Sequence, residues 1–239
     1  MSKIKILETI SETPYSRVSY CYLNDVKAVL KTKKEAMIIN SIATELEIHQ
    51  FLKKYDLCPE ILDYDLLNNR IVYEYIEYPV ENSEYNQVFL KIFGETLSKL
   101  HSLDYKNLAI DTFEEKIESY RNMLSTSATI EIQESFALFD KLYKKPYKLA
   151  FCHNDLNKMN IFLDKNMKFI DWEYTGLNQP IYEIASIKKS FNLSSDQLDI
   201  FLKAYGQDFN PKEIEEFEVL VGFIEKIWQK VTNKLKTHQ

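Results

Sequence analysis

Between Lys148 and Glu173 the chain follows one order: an apolar run to Cys152, the octet HNDLNKMN (His153 to Asn160), the apolar Ile161-Phe162-Leu163, the turn Asp164-Lys165-Asn166, and a second apolar run from Lys168 to Trp172 that carries Ile170-Asp171-Trp172-Glu173. Two apolar runs around a short polar turn predict a small hairpin. A hairpin folds its two ends together, so Asn160 and Asp171 should approach each other. An amide oxygen and a carboxylate that converge are hard oxygen ligands of the kind that suit Mg²⁺. Asp155 lies just after a predicted strand, across the same loop, where it can accept a proton from a hydroxyl. Phosphoryl transfer asks for this combination: a metal on the phosphates and a carboxylate orienting the nucleophile. Asp and Asn are also common turn residues, so the inference rests on the whole ordered run and not on any one of them.

The flanking sequence predicts an α+β chain. Val18 to Leu23 and Val26 to Leu30 read as strands, with Asn24-Asp25 as a tight hairpin turn. A helix is predicted from about Lys34 to Lys54, with Ile38, Ile42, Leu46 and His49 at helical spacing, ended by Cys58-Pro59. Ile61-Leu62 and Ile71-Val72-Tyr73 follow as strands around Asn68-Asn69. From Tyr85 the pattern turns helical, with a stripe of Val88, Phe89, Ile92, Phe93, Leu97 and Leu100. Further helices are predicted near 113–124 and 130–143, a short strand from Lys148 to Cys152, and helices from Pro180 onward. The organisation is a small β-rich lobe, residues 1–76, and a larger mostly helical lobe, residues 77–239, that carries the hairpin.

Composition narrows the function classes. At 239 residues and 45% hydrophobic, the chain can bury a sizeable core. Its net charge of −6 argues against nucleic acid as a partner. Three cysteines with no CxxC pair fit neither a disulfide framework nor a cysteine zinc site. Met1 to Lys5 leads into an alternating segment and not an apolar signal core, and no apolar run reaches the ~20 residues that span a bilayer. The expectation is a cytoplasmic protein without a membrane partner; the oligomeric state is not legible. Only four glycines occur, none in the first 90 residues, so a glycine-rich phosphate loop is absent.

The segment from His153 to Glu173 resembles the aminoglycoside phosphotransferase and choline kinase family, whose loop reads HxDxxxxN followed by an apolar strand and then hhDxE. Asn154 of the HND triplet is similar to the choline and ethanolamine kinase branch, as are Ile170 to Tyr174 with Asn178 and Tyr182 beyond. The resemblance implies a two-lobed protein-kinase-like fold with an antiparallel N-terminal sheet and one main helix, using ATP and Mg²⁺. It implies Asp155 as catalytic base, Asn160 and Asp171 as metal ligands with Glu173 beside them, and His153 and Asn154 as loop support. Lys31, in Ala28-Val29-Leu30-Lys31, matches the lysine that pairs with a helix glutamate and holds phosphates. Glu45 matches that glutamate, seven residues before Leu52, with Pro59 seven after it. The alternative for Lys31 is a solvated charge beside Lys33 and Lys34. Tyr73-Glu74-Tyr75-Ile76 is similar to the family's linker, where the backbone of Glu74 and Ile76 would hydrogen-bond adenine. Leu100-His101 resembles a helix end in which the histidine is structural.

The chain departs from the family in places. Thr13-Pro14-Tyr15-Ser16-Arg17 stands where a glycine-bearing phosphate loop is usual, leaving Ser16 as a phosphate donor and Arg17 as an added charge; the missing glycines limit close backbone approach. Met159 takes a position often filled by Gly. Glu183 replaces an Asp, twelve residues beyond Asp171, in a structural role. On the substrate side, with Tyr174 and Tyr182, Ser190 stands where the family carries an acid; Lys188 and Lys189 before it are expected to face solvent. Trp228 fits one of two tryptophans in the family's last helix, and Glu225 stands in place of the other. Three apart on a helix, they share a face. Glu225 would supply the anionic partner and Trp228 the aromatic wall for a cationic amine, a contact worth about 0.5–2 kcal/mol. The alternative is a core tryptophan and a surface glutamate. The expected acceptor is a choline-like amino alcohol, choline or ethanolamine. Competing readings are an aminoglycoside, thiamine or sugar kinase, a non-catalytic nucleotide-binding protein on the same fold, and a two-carboxylate hydrolase using Asp155 and Asp171, which leaves Lys31 unexplained.

Overall fold

The computed structural model describes residues 3–13, 15–34, 42–77, 79–80, 85–145 and 147–237. The expected helical residues 35–41, with Ile38, lie outside the described residues, as do Pro14 and Tyr78. The chain forms two compact units, residues 1–83 with 158–174, and residues 84–157 with 175–239. Among the described residues no helix is long and apolar enough to cross a membrane.

Alternating apolar and polar residues build the first unit's sheet. Strands β1 (Ile4–Glu12), β2 (Ser16–Leu23) and β3 (Val26–Lys33) follow one another, helix α1 (Ile42–Lys53) intervenes, and β4 (Ile61–Asp65) and β5 (Arg70–Glu74) complete it. The order is β1-β2-β3-β5-β4, with every neighbouring pair antiparallel. Asn24 and Asp25 both adopt left-handed backbone, φ 48° and 67°. That is the conformation a two-residue hairpin turn demands, and Asn and Asp tolerate it. Successive residues of a strand point to opposite faces, and β3 shows the consequence. Ala28 and Leu30 pack with Cys21, Leu23 and Val72, while Val29 joins Ile42, Leu46, Ile71 and Tyr73 on the side where α1 lies. Lys31 and Lys33 share the parity of Val29 and so project toward α1.

The hairpin of the octet region belongs to this unit. Its strands are β7 (Ile161–Leu163) and β8 (Met167–Phe169). The Phe169 N–H donates to the Leu57 carbonyl at 2.8 Å. Lys168 reaches Glu74 at 2.6 Å and Asp56 at 3.3 Å. The second strand was expected to run through Trp172. It stops at Phe169 because Asp171 takes left-handed backbone, φ 66°, and Trp172–Tyr174 coil into a 3₁₀ turn.

The second unit is helical. It contains α2 (Gln87–His101), α3 (Phe113–Leu124), α4 (Ile130–Tyr143), α5 (Pro180–Phe191), α6 (Ser195–Tyr205) and α7 (Pro211–Thr237). Short strands β6 (Ala150–Cys152) and β9 (Gly176–Asn178) pair antiparallel; β9 carries no alternation that would reveal it. Helix starts follow local chemistry: Thr112 with Glu115 and Ser194 with Gln197 form reciprocal capping boxes. In α2 the buried face is Phe89, Leu90, Phe93, Gly94, Leu97 and Leu100. Val88, predicted on that stripe, is 66% exposed, because the stripe drifts with the 3.6-residue period and Leu90 closes its edge.

Candidate active site

In the first unit, four predicted residues converge. Lys31 is 6% exposed, so the solvated alternative is excluded. Its Nζ lies 2.6 Å from Asp171 Oδ1, 3.4 Å from Glu45 Oε1 and 3.7 Å from Glu173 Oε2. Burial opposes the lysine's charge, but Glu45, Asp171 and Glu173 outweigh it and hold the ammonium above its ordinary range. Glu45 is 1% exposed, accepts from the Tyr73 hydroxyl at 2.5 Å and is ion-paired with Lys33 at 2.9 Å. Burial pushes its carboxyl up, but Lys31, Lys33 and Tyr73 reverse this and hold it below the usual carboxylate range. Lys33 and Tyr73 were not foreseen as partners. The two-residue period of β3 was the signal for Lys33, since it repeats the face of Lys31.

The hairpin brings its ends together as expected. The Ile170 N–H donates to the Asn160 carbonyl at 3.0 Å, which sets Asp171 one residue from that bond. Asn160 is buried. Burial and then the neighbouring Asp171 charge raise the Glu173 carboxyl. Three acidic or amide side chains on one short hairpin, two of them crowding the same lysine, fit a hard divalent cation that would relieve their repulsion. Tyr174 follows, half-buried. At the other predicted nucleotide positions, the Glu74 N–H donates to the Glu60 carbonyl at 2.9 Å. Ile76 is half-buried. Ser16 sits in a turn capped by Thr13, whose Oγ1 accepts from the Ser16 N–H at 3.0 Å. Arg17 pairs with Glu12 at 2.8 Å.

In the second unit, the start of the octet is held by one carboxylate. Glu183, fully buried, accepts from the Asn154 N–H at 2.6 Å, the His153 N–H at 3.4 Å and His101 Nε2 at 2.7 Å. His101 Nδ1 in turn lies 2.9 Å from the Tyr205 hydroxyl. Glu183 and His101, read from the sequence as structural, are thus the anchor of the loop. His153, also fully buried, accepts the Asp155 N–H on Nδ1 at 3.3 Å. Asn154 takes left-handed backbone, φ 66°, and its Oδ1 accepts from Asn178 Nδ2 at 2.7 Å. Asn178 Oδ1 accepts from the Tyr143 hydroxyl at 2.6 Å. Gly176 is required beneath this turn, since a Cβ there would lie 2.8 Å from the Asp111 carbonyl oxygen.

On α5 and α7 the predicted acceptor residues meet others. The Tyr182 phenol is buried; burial, then the charges of Asp155 and Glu225, push its pKa up. Its ring lies 4.5 Å from that of Phe113. Trp228 is half-buried and Glu225 exposed. Lys188 and Lys189, expected to face solvent, instead reach α7. Lys188 pairs with Glu218 and Lys189 with Glu225, the latter at 2.6 Å. The physical reason is that α5 packs along α7, and each long lysine stem spans to a carboxylate on the facing helix. Ser190 is half-buried.

A LicA homologue of Mycoplasma capricolum subsp. capricolum is 26% identical over 183 residues, covering 75% of this chain and 74% of the relative. A crystal structure of the choline kinase LicA from Streptococcus pneumoniae superposes with TM-score 0.77 at 18% identity, covering 97% of this chain and 85% of that one. A Plasmodium vivax ethanolamine kinase superposes with TM-score 0.75 at 16% identity, over 98% of this chain and 77% of that one. These structures share the protein-kinase-like fold, with the antiparallel N-terminal sheet and the helical second part described above. Residues 21–217 match the phosphotransferase enzyme family APH, and the chain therefore belongs to that family, as a relative of its choline and ethanolamine kinases.

Proposed function

We propose that the protein is an ATP-dependent kinase that phosphorylates the hydroxyl of a small amino alcohol, choline or ethanolamine. The observation that carries the reading is the buried cluster of Lys31 with Glu45, Asp171 and Glu173. Three carboxylates around one buried lysine leave an excess of negative charge that a divalent cation would offset, and a lysine beside such a cation is placed to bind phosphates. In this reading residues 1–76 form the nucleotide lobe and residues 77–239 the acceptor lobe. Lys31, oriented by Glu45, binds the phosphates of ATP, Ser16 adds a donor, and the backbone of Glu74 and Ile76 holds adenine. Asn160 and Asp171, with Glu173 beside them, would hold Mg²⁺, which neutralises charge on the phosphates when bound. Asp155 accepts the proton of the acceptor hydroxyl, and the Glu183 anchor with His153 and Asn154 fixes its loop. Tyr174, Tyr182, Glu225 and Trp228 receive the acceptor. The buried, unpaired cysteines and net charge of −6 fit a cytoplasmic enzyme that does not bind nucleic acid.

A second reading, a family kinase for another hydroxyl compound, is favoured by one observation: Lys189 already neutralises Glu225. The test is ADP release from Mg-ATP across a panel of amino alcohols, sugars, thiamine and aminoglycosides, beside the Asp155→Asn variant. We expect turnover of choline or ethanolamine, lowered about 10²–10⁴-fold in the variant with unchanged melting temperature. Turnover confined to a non-amine compound would replace the amino alcohol reading. Wild-type rates no higher than the variant's on every compound would overturn the kinase reading itself.

A further inference from the structure

Resting on the amino alcohol reading, we propose that Lys189 is a specificity-determining residue of the acceptor site: its ammonium occupies the cation position at Glu225, and a cationic acceptor must displace it. Tyr182, Ser186 and Lys189 fall at i, i+4 and i+7 on α5 and so share a face. From that face the Lys189 side chain crosses α7 at Gly222, where a Cβ would lie 3.6 Å from its Nζ. It ends 2.6 Å from Glu225 Oε2. Trp228 is three residues beyond Glu225 on the same helix, on the same side. The charges of both Asp155 and Glu225 help to raise the pKa of the buried Tyr182 phenol, after burial itself. A cation beside this carboxylate is what an amino alcohol presents: a primary ammonium in ethanolamine, a quaternary ammonium of the same charge in choline.

Displacement is feasible because the pair is solvent-accessible, with side chains 34% and 57% exposed. Exposed pairs of this kind are weak, equivalent to about 1.5- to 5-fold in an equilibrium constant. An acceptor with an ammonium therefore loses that factor, plus the repulsion of the displaced lysine, whereas an uncharged alcohol gains nothing from Glu225. Lys188 makes the corresponding bond to Glu218 one position earlier and serves as the internal control for a bond that only staples α5 to α7.

The experiment is steady-state kinetics with choline and with ethanolamine on wild type, Lys189→Met, Glu225→Gln, the double variant and Lys188→Met, with melting curves for each. We expect Lys189→Met to lower the acceptor KM about three- to tenfold, leaving the ATP KM unchanged. Glu225→Gln should raise the acceptor KM, and adding Lys189→Met to it should bring no further gain. Lys188→Met should leave the acceptor KM as in wild type. An acceptor KM in Lys189→Met equal to or above that of wild type, with turnover present, overturns this inference and leaves the amino alcohol reading intact. No amino alcohol turnover in any variant overturns both. Turnover that emerges only in Lys189→Met supports the inference. Should Lys189→Met not fold, Lys189→Gln carries the same comparison.

Discussion

At the scale of single residues, two buried carboxylates carry unequal duties. Glu45 is surrounded by Lys31, Lys33 and Tyr73, and removing one partner of a buried pair costs about 3–5 kcal/mol. Glu45→Gln is expected to lose stability of that order in urea unfolding. Despite burial, Lys31, Lys33 and Tyr73 hold the Glu45 carboxyl below its ordinary value of 4.5. Its contribution is therefore complete above that value and lost as pH falls through the lower folded value. Melting temperature should hold level down to about pH 5 and decline below about pH 4, and the decline should be shallower in Glu45→Gln. Glu183 instead satisfies two loop N–H groups and His101. An unsatisfied buried donor costs about 1–3 kcal/mol, and each kcal/mol lowers the melting temperature of a chain this size by about 2–4 °C. Glu183→Gln should lower it within that range and reduce kcat more than the ATP KM, as loss of loop position would. The sequence marked Glu183 only as a substitute for Asp. Its three partners come from α2 and the octet, distant in the chain, and no local pattern announces them.

At the scale of elements, most boundaries were legible because local chemistry sets them. The predicted helices near 113–124 and 130–143 are α3 and α4, each opened by a threonine cap. The Asn24-Asp25 turn follows from the left-handed backbone that Asn and Asp accept. Asp25→Gly relieves a left-handed backbone cost of about 1–2 kcal/mol against about 0.4–1 kcal/mol of added unfolded-state freedom, so it should raise stability slightly, read as a higher melting temperature. Gly94 in α2 was not legible as an element contact. A Cβ there would lie 2.4 Å from the Phe201 carbonyl oxygen and 2.9 Å from Ala204 Cβ, so this glycine is what lets α6 approach α2. Alanine gains about 1 kcal/mol in helix propensity, but forced overpacking costs typically 1–3 kcal/mol. Contact with a carbonyl of the facing backbone leaves little room to adjust, so Gly94→Ala should destabilise on balance, and a stable variant with unchanged melting temperature would contradict the close packing. The shortened β8 and the unforeseen β9 were missed for a related reason: three-residue strands are too short for a period to show, and pairing with a distant partner creates them.

At the scale of the whole molecule, nucleotide binding should report on the first unit's cluster. Mg-ATP at about 100 times its dissociation constant stabilises by roughly 2.7 kcal/mol, which corresponds to about 5–10 °C for a chain of this length. EDTA should remove most of that shift, and Asp171→Ala should remove it with Mg²⁺ present. The sequence by itself determined the class of fold and the family to which the chain belongs. Hydrophobic periodicity, turn residues and the ordered run from HNDLNKMN to Ile170-Asp171-Trp172-Glu173 are local properties that survive in one dimension. Only the tertiary structure decided which charges are neutralised by which. Lys31 met Asp171, 140 residues away, as well as the expected Glu45; Lys33 and Tyr73 joined that carboxylate; Glu183 became the loop's anchor; and Lys189 turned from solvent onto Glu225. The physical reason is that the strength of a charge or hydrogen bond depends on burial and on the nearest partner, and both are set by how distant segments pack.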